Sequence, residues 1–192
     1  MDQDTVEEVY HYKIVLLGDS KVGKTSLRRN FMGESYQTNY LTTLMADFAS
    51  HTLDVDGYTV NFSIWDLAGQ PDMGDVRSKY FYGAFGAMIV FDVTNPSSFE
   101  NLDKWIDQLK RNTMQDGTPI VIVANKMDLE NAITVDFDQV DNYIEKLKKR
   151  YKYPVHYIKT SAKTGHNVEK AFLSLARNIH SWKLNERKNK KK

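Results

Sequence analysis

Short apolar runs alternate along the chain with longer segments in which apolar residues recur every three or four positions. The runs YKIVLLG, AMIVFDV, PIVIVAN and PVHYIKT have the length and composition of β-strands, and the second and third are typical of strands buried on both faces of a parallel sheet. Residues 24–32, 99–109, 143–147 and 168–179 place apolar side chains on one helical face, which we interpret as core packing. The pattern predicts alternating strands and helices.

One segment, DFASHTLDVDGYTVNFSIWD, carries two strand-like runs on either side of Asp56 and Gly57. This dipeptide suits the tight turn of a β-hairpin, so the two runs should pair antiparallel. Strands and helices that alternate with short connections predict an α/β fold with a doubly wound, mostly parallel sheet. Ligands of such sheets bind at the carboxyl ends of the strands.

Length and composition favour one soluble domain, which we expect to span residues 1–182 with the first ten residues flexible. The chain has 192 residues, of which 41% are hydrophobic. No apolar run approaches the roughly 18 residues of a spanning helix, and the acidic start differs from a signal peptide, so we expect a cytoplasmic protein. The absence of cysteine excludes disulfides, thiolate metal sites and a cysteine nucleophile.

The charge is unevenly distributed, although the formal net charge is only +1. Residues 183–192 carry six lysines and arginines against Glu186, so the remainder of the chain is acidic overall. An acidic body argues against a nucleic-acid-binding surface. The basic tail has almost no apolar residue, so we expect it to be disordered, with weak contact to an anionic membrane as its possible role.

The motif GDSKVGKT lies between the first predicted strand and the first predicted helix. Gly18 and Gly23 permit a tight loop whose backbone N–H groups and following helix N-terminus form a cradle for polyphosphate. Lys24 would reach the outer phosphates, and the hydroxyl of Thr25 would bind Mg²⁺. A serine-hydrolase elbow is disfavoured because Val22 stands where it needs glycine. The residues predicted to contact the nucleotide are Asp19, Ser20, Lys21, Val22, Gly23, Lys24, Thr25 and Ser26.

A second motif, WDLAGQ, follows the second run of the predicted hairpin. Asp66 ends the strand and could hold Mg²⁺ through water, while the N–H group of Gly69 meets the terminal phosphate. Gln70 lies next to the position that an attacking water would occupy. The motif therefore predicts catalytic and metal-binding groups beside the phosphate loop.

Two further motifs predict recognition of a guanine base. In NKMD, the carboxylate of Asp128 would accept hydrogen bonds from the N1–H and amino groups of guanine, a donor pair that adenine lacks. ATP would leave this carboxylate unpaired, at a cost of a few kcal/mol. Asn125 and Lys126 belong to the same site. In SAK, the backbone amides of Ser161, Ala162 and Lys163 could contact the guanine oxygen.

These motifs, in this order and spacing, resemble those of the Ras-like small GTPases, and most closely the Rab branch, over about residues 12–182. The resemblance implies the small G domain of the P-loop NTPases: a six-stranded, mostly parallel sheet with one antiparallel strand and five helices on both faces. It implies binding of GTP and GDP with Mg²⁺. Thr43 matches the second magnesium ligand, with Thr42 as its rival. Tyr36 matches the aromatic residue that lies against guanine, and Tyr40 matches the tyrosine that covers the phosphates.

The resemblance also implies partners. Phe48, Trp65 and Tyr80 match an aromatic triad that Rab-like proteins present to effectors, although core packing is an alternative explanation for such a cluster. An exchange factor and a GTPase-activating protein are implied in addition to effectors, and the protein is expected to be a monomer. The chain ends without the cysteines that carry prenyl groups in most of the family.

Together the motifs predict a molecular switch that hydrolyses GTP slowly. Lys24 and Mg²⁺ would neutralise charge on the transferred phosphoryl group while Gln70 orients the attacking water. Lys21, Met45 and Pro71 depart from the family pattern, so a GTP-binding module with little or no hydrolysis is an alternative. A P-loop nucleotide kinase is a further alternative, but it would leave NKMD and TSAK without a role.

Overall fold

A computed structural model describes residues 8–35, 43, 45–69, 78–113 and 118–189. Its six strands form one sheet in the order β2-β3-β1-β4-β5-β6. The β2–β3 pair is antiparallel and all other pairs are parallel, as predicted. The strands are β1 Val9–Leu17, β2 Ala46–Val55, β3 Tyr58–Leu67, β4 Gly86–Asp92, β5 Ile120–Asn125 and β6 Val155–Lys159.

Helices cover both faces of this sheet. Because α3 and α4 form one helix interrupted at Asn101, the described ranges contain five helices, as predicted. Glu130–Ala132 forms a short 3₁₀ helix. None of the helices in the described ranges is long and apolar enough to cross a membrane. The helices are α1 Lys24–Phe31, α2 Ser78–Phe81, α3 Pro96–Glu100, α4 Leu102–Asn112, α5 Phe137–Arg150 and α6 Val168–Asn189.

Alternate residues of the central strands enter two different hydrophobic cores. In β1, Val15 and Leu17 pack with α4 and α5, whereas Ile14 and Leu16 pack with α1 and α6. All four side chains are fully buried. Burial on both faces explains why the central strands read as continuous apolar runs, and each such side chain contributes about 1.5–3 kcal/mol to stability.

The β2–β3 hairpin turns where the sequence predicted. Asp56 has φ 49° and Gly57 has φ 87°, so both turn residues are left-handed, as a type I′ turn requires. The carboxylate of Asp56 accepts two hydrogen bonds from Arg177 of α6, at 2.7 and 2.9 Å. Helix α6 is therefore tied to the β2–β3 turn by this pair of hydrogen bonds.

At both ends of the described chain, secondary structure extends into residues that we expected to be flexible or disordered. β1 begins at Val9, within the first ten residues, and α6 continues beyond Trp182 to Asn189. The ring of Tyr10 packs against Tyr58, and the ammonium of Lys183 lies 3.9 Å from the centre of the Phe85 ring. Low apolar content does not end a helix that is already nucleated, because lysine, arginine and leucine propagate helices well.

Candidate nucleotide-binding site

The loop between β1 and α1 has the geometry that its glycines predicted. Gly18 has φ 136°, and a Cβ there would lie 2.1 Å from the carbonyl oxygen of Val90. Gly23 has φ 101°, and a Cβ there would lie 2.3 Å from Asn125 Nδ2. Side chains are therefore excluded at both positions for two reasons, backbone conformation and close approach.

Lys24 is held at this loop by its own backbone. Its side chain is buried, and Nζ donates hydrogen bonds of 2.8 Å to the carbonyl oxygens of both Gly18 and Asp19. Lys24 is also the first residue of α1, whose N-terminus favours anions. The loop thus combines a fixed ammonium group with a helix N-terminus, which suits polyphosphate binding.

Asn125, at the end of β5, joins three of the predicted motifs. Its Nδ2 donates to the carbonyl oxygen of Val22 at 2.9 Å. Its Oδ1 accepts from the backbone N–H of Ala162 at 3.0 Å and from the Thr160 hydroxyl at 3.1 Å. The sequence predicted Asn125 as a nucleotide contact, and in the structure its side chain joins the phosphate loop to the SAK motif.

A cavity of about 210 Å³ opens beside the phosphate loop. Ser161 donates a 2.6 Å hydrogen bond to Asp128 Oδ1, which orients the predicted guanine carboxylate. Lys126 Nζ lies 2.6 Å from Asp92 Oδ2, an ion pair that the sequence did not reveal. Among the residues that line this cavity, Leu129 is the one that the sequence motifs did not predict. The cavity is lined by Gly23, Ser26, Asn125, Lys126, Asp128, Leu129, Ala162 and Lys163.

Oxygen groups that could hold a cation converge at the start of α1. The Thr25 hydroxyl donates to Asp66 Oδ2 and lies 3.1 Å from the hydroxyl of Thr43. Asp66 is fully buried, and this burial raises the pKa of its carboxyl group, an effect opposed by the Thr25 hydrogen bond and by Lys24. Its Oδ1 is buried without a hydrogen-bond partner in the part of the chain that the structure describes. A buried carboxylate oxygen beside two hydroxyls fits the ligand preference of Mg²⁺.

The backbone of WDLAGQ approaches the phosphate loop closely. A Cβ at Gly69 would lie 2.2 Å from the backbone nitrogen of Ser20 and 2.3 Å from the carbonyl carbon of Asp19. Only glycine therefore fits at this position. Of the other predicted residues, Tyr36, Tyr40, Thr42, Gln70 and Pro71 lie outside the described ranges.

The three predicted aromatic residues form one contiguous cluster. Ring centres of Phe48 and Trp65 are 5.3 Å apart, and those of Trp65 and Tyr80 are 5.6 Å apart. Lys13 Nζ lies 4.7 Å from the centre of the Trp65 ring. Phe48 is 53% exposed, so the cluster is both packed and open to solvent. Core packing alone does not account for a half-exposed phenylalanine.

Comparison with known proteins supplies the class. The sequence signature of the Ras family matches residues 13–181. The chain therefore belongs to the Ras family, whose members are small GTPases that hydrolyse GTP.

Within this family the chain resembles Rab proteins. It is 37% identical to Ras-related protein Rab-1D of Dictyostelium discoideum over 173 residues, which cover 90% of this chain and 81% of the relative. It is 36% identical to human Ras-related protein Rab-8B over 180 residues, 94% of this chain and 83% of the relative. It is 35% identical to GTP-binding protein ypt1 of Schizosaccharomyces pombe over 170 residues, 88% of this chain and 80% of the relative.

Proposed function

We propose that this protein is a molecular switch that binds GTP and GDP with Mg²⁺ and hydrolyses GTP slowly, in regulation of membrane traffic or signalling. The observation that carries the proposal is the convergence on Asn125, which hydrogen-bonds the phosphate loop at Val22 and the base-binding turn at Ala162. One ligand with a polyphosphate and a guanine would span these two places. Thr25, Thr43 and Asp66 would hold Mg²⁺, which neutralises phosphate charge when bound.

Lys24 and Gln70 would carry the chemistry. The Lys24 ammonium group would neutralise charge on the transferred phosphoryl group, and Gln70 would orient water for in-line attack. The terminal phosphate would hold Thr43 and the N–H group of Gly69, so that hydrolysis releases both segments. This difference between two states would be read by effectors at Phe48, Trp65 and Tyr80, while an exchange factor and an activating protein would set their populations.

Base specificity can be tested at Asp128. Asp128→Asn should weaken GTP binding and favour xanthosine triphosphate, whose base carries a carbonyl where guanine has its amino group. Competition between the two nucleotides for the purified protein measures the preference. Asp138→Asn, an exposed change of the same chemistry on α5, is the control. An unchanged preference in the Asp128 variant would remove the guanine assignment.

Hydrolysis can be tested at Gln70. Gln70→Leu should retain nucleotide affinity but slow single-turnover GTP hydrolysis at least tenfold, because the lost amide acts on water and not on ground-state GTP. Assays with and without Mg²⁺ give the metal dependence, and Gln139→Leu on the exposed side of α5 is the matched control. If wild type binds GTP with no measurable turnover, the binding-module alternative is correct instead.

We also propose weak contact between an anionic membrane and the end of α6. Arg187 and Lys188 are exposed there, and the 40% exposed Leu184 lines a surface cavity together with the 46% exposed Val9. Each basic residue near such a membrane adds about 1 kcal/mol. A variant with Arg187→Glu and Lys188→Glu should therefore lose co-sedimentation with anionic vesicles at low salt. A variant with Lys146→Glu and Lys149→Glu on α5 should retain it, and equal losses would exclude this surface.

A further inference from the structure

The carboxylate of Asp19, within the phosphate loop, accepts hydrogen bonds from the interrupted helix that α3 and α4 form. Asn101 Nδ2 donates to Asp19 Oδ2 at 2.7 Å, and Trp105 Nε1 donates to Asp19 Oδ1 at 2.7 Å. Trp105 is 1% exposed and belongs to the hydrophobic core. Asn101 is the residue at which α3 and α4 are interrupted. Both carboxylate oxygens of Asp19 are therefore fixed by a rigid element.

The contacts of Asp19 form one of two sets of contacts on either side of the exposed tip of the phosphate loop, Ser20 and Lys21. Ser20 and Lys21 are exposed, and the next residue, Val22, is held through its carbonyl oxygen by Asn125. The carbonyl oxygen of Asp19 in turn accepts from the Lys24 ammonium group. The exposed tip therefore lies between Asp19, which contacts α4, and Val22, which contacts β5.

We propose that Trp105 and Asn101 are positioning residues that keep the phosphate loop in its binding conformation by fixing Asp19. The inference rests on the proposed nucleotide-binding function. Hydrogen bonds to an ionised carboxylate are stronger than neutral ones, and a buried indole N–H left without an acceptor is costly, so the pair resists rotation of Asp19. A loop that is ordered before binding avoids the ordering cost at binding, which raises affinity.

The variants must separate this contact from ordinary core packing. Trp105→Phe removes the indole donor and keeps an aromatic ring in the core. Trp182→Phe is the matched control, because Trp182 is also buried but lies in α6 against Tyr153, with ring centres 5.9 Å apart. Asn101→Asp tests the same contact at a partly exposed site by placing a second carboxylate against Asp19, which serves if Trp105→Phe does not fold.

The first measurement is release of a fluorescent GDP analogue from the full chain, after the stoichiometry of bound GDP in wild type is established. We expect Trp105→Phe and Asn101→Asp to accelerate release about tenfold, and Trp182→Phe to change it less than twofold. Single-turnover hydrolysis of bound GTP should change less than threefold in the Trp105 and Asn101 variants. That split between retention and chemistry distinguishes loop positioning from a general loss of structure.

The second measurement is the ¹H–¹⁵N resonance of the tryptophan indoles. Asp19→Asn weakens the charge-assisted bond and should shift the Trp105 indole resonance, while that of Trp182 stays in place. Equal release rates in the Trp105 and Trp182 variants, or a Trp105 resonance that ignores Asp19→Asn, would overturn the inference. Absence of guanine-nucleotide binding in wild type would instead contradict the proposed function itself.

Discussion

Lys21 has a backbone conformation that L-residues seldom adopt. Its φ of 65° lies in the left-handed region, which costs a side-chain-bearing residue about 1–2 kcal/mol. Lys21→Gly removes this cost. Glycine also raises the conformational entropy of the unfolded chain, which lowers stability by about 0.4–1 kcal/mol, so we expect a net stabilisation of about 0.5–1 kcal/mol. Urea unfolding at saturating GDP measures it. Lys21→Ala retains the unfavourable φ, and if it stabilises as much as the glycine, the conformation is not the cause.

At this same scale, the sequence predicted residues whose requirement is local and missed those whose partners are distant. The glycines and Lys24 of the phosphate loop were predictable because their spacing reflects a backbone requirement within eight residues. Asn101 and Trp105 were not, because they meet Asp19 across 82 and 86 residues of chain. Asp92, at the end of β4, pairs with Lys126, just after the end of β5. A buried tryptophan on an amphipathic helix looks like core, and here it is also a hydrogen-bond donor to the site.

Among the elements, α5 begins at a defined cap. Asp136 Oδ1 accepts a 2.9 Å hydrogen bond from the backbone N–H of Asp138. Asp136→Ala should lower the free energy of unfolding by about 1 kcal/mol, because it leaves an N-terminal amide of the helix without this acceptor. Asp141→Ala, at an exposed position within the same helix, is the control for loss of one carboxylate. Equal unfolding midpoints for the two variants in urea would contradict the capping role.

Element types were predicted better than element ends. The strands and amphipathic helices were predictable because periodicity reports which face is buried, and every central strand is covered on both faces. The end of α6 was not, because periodicity fades once the helix leaves the core. There, Arg187 and Lys188 continue a helix that Ala171, Phe172 and Leu175 anchor.

For the molecule as a whole, His180 links α6 to the start of the sheet. Its ring stacks on Tyr58 with centres 4.0 Å apart, and Nδ1 lies 3.1 Å from the Tyr12 hydroxyl. Burial lowers the pKa of His180 below its usual 6.5, an effect opposed by Glu8 and increased by Arg187. Below pH 6.5 this histidine therefore binds a proton more readily in the unfolded chain than in the folded one. Stability should fall as the pH drops from the unfolded pKa through the folded one.

His180→Gln should reduce this loss, because glutamine can still hydrogen-bond Tyr12 but does not titrate. Some slope remains, since burial also lowers the pKa of His156. Urea unfolding between pH 5 and pH 7 measures the slope, with His166→Gln at an exposed position as the control. A slope that is identical in wild type and the His180 variant would exclude this histidine as its source.

The length of α6 places its two ends far apart. Its 22 residues span about 33 Å at 1.5 Å per residue, from a start just after the turn that carries Ala162 to an end beside the first strand. A charged surface bound at the basic end of α6 would lie about one helix length from the nucleotide-binding site, so it would not block release of the nucleotide.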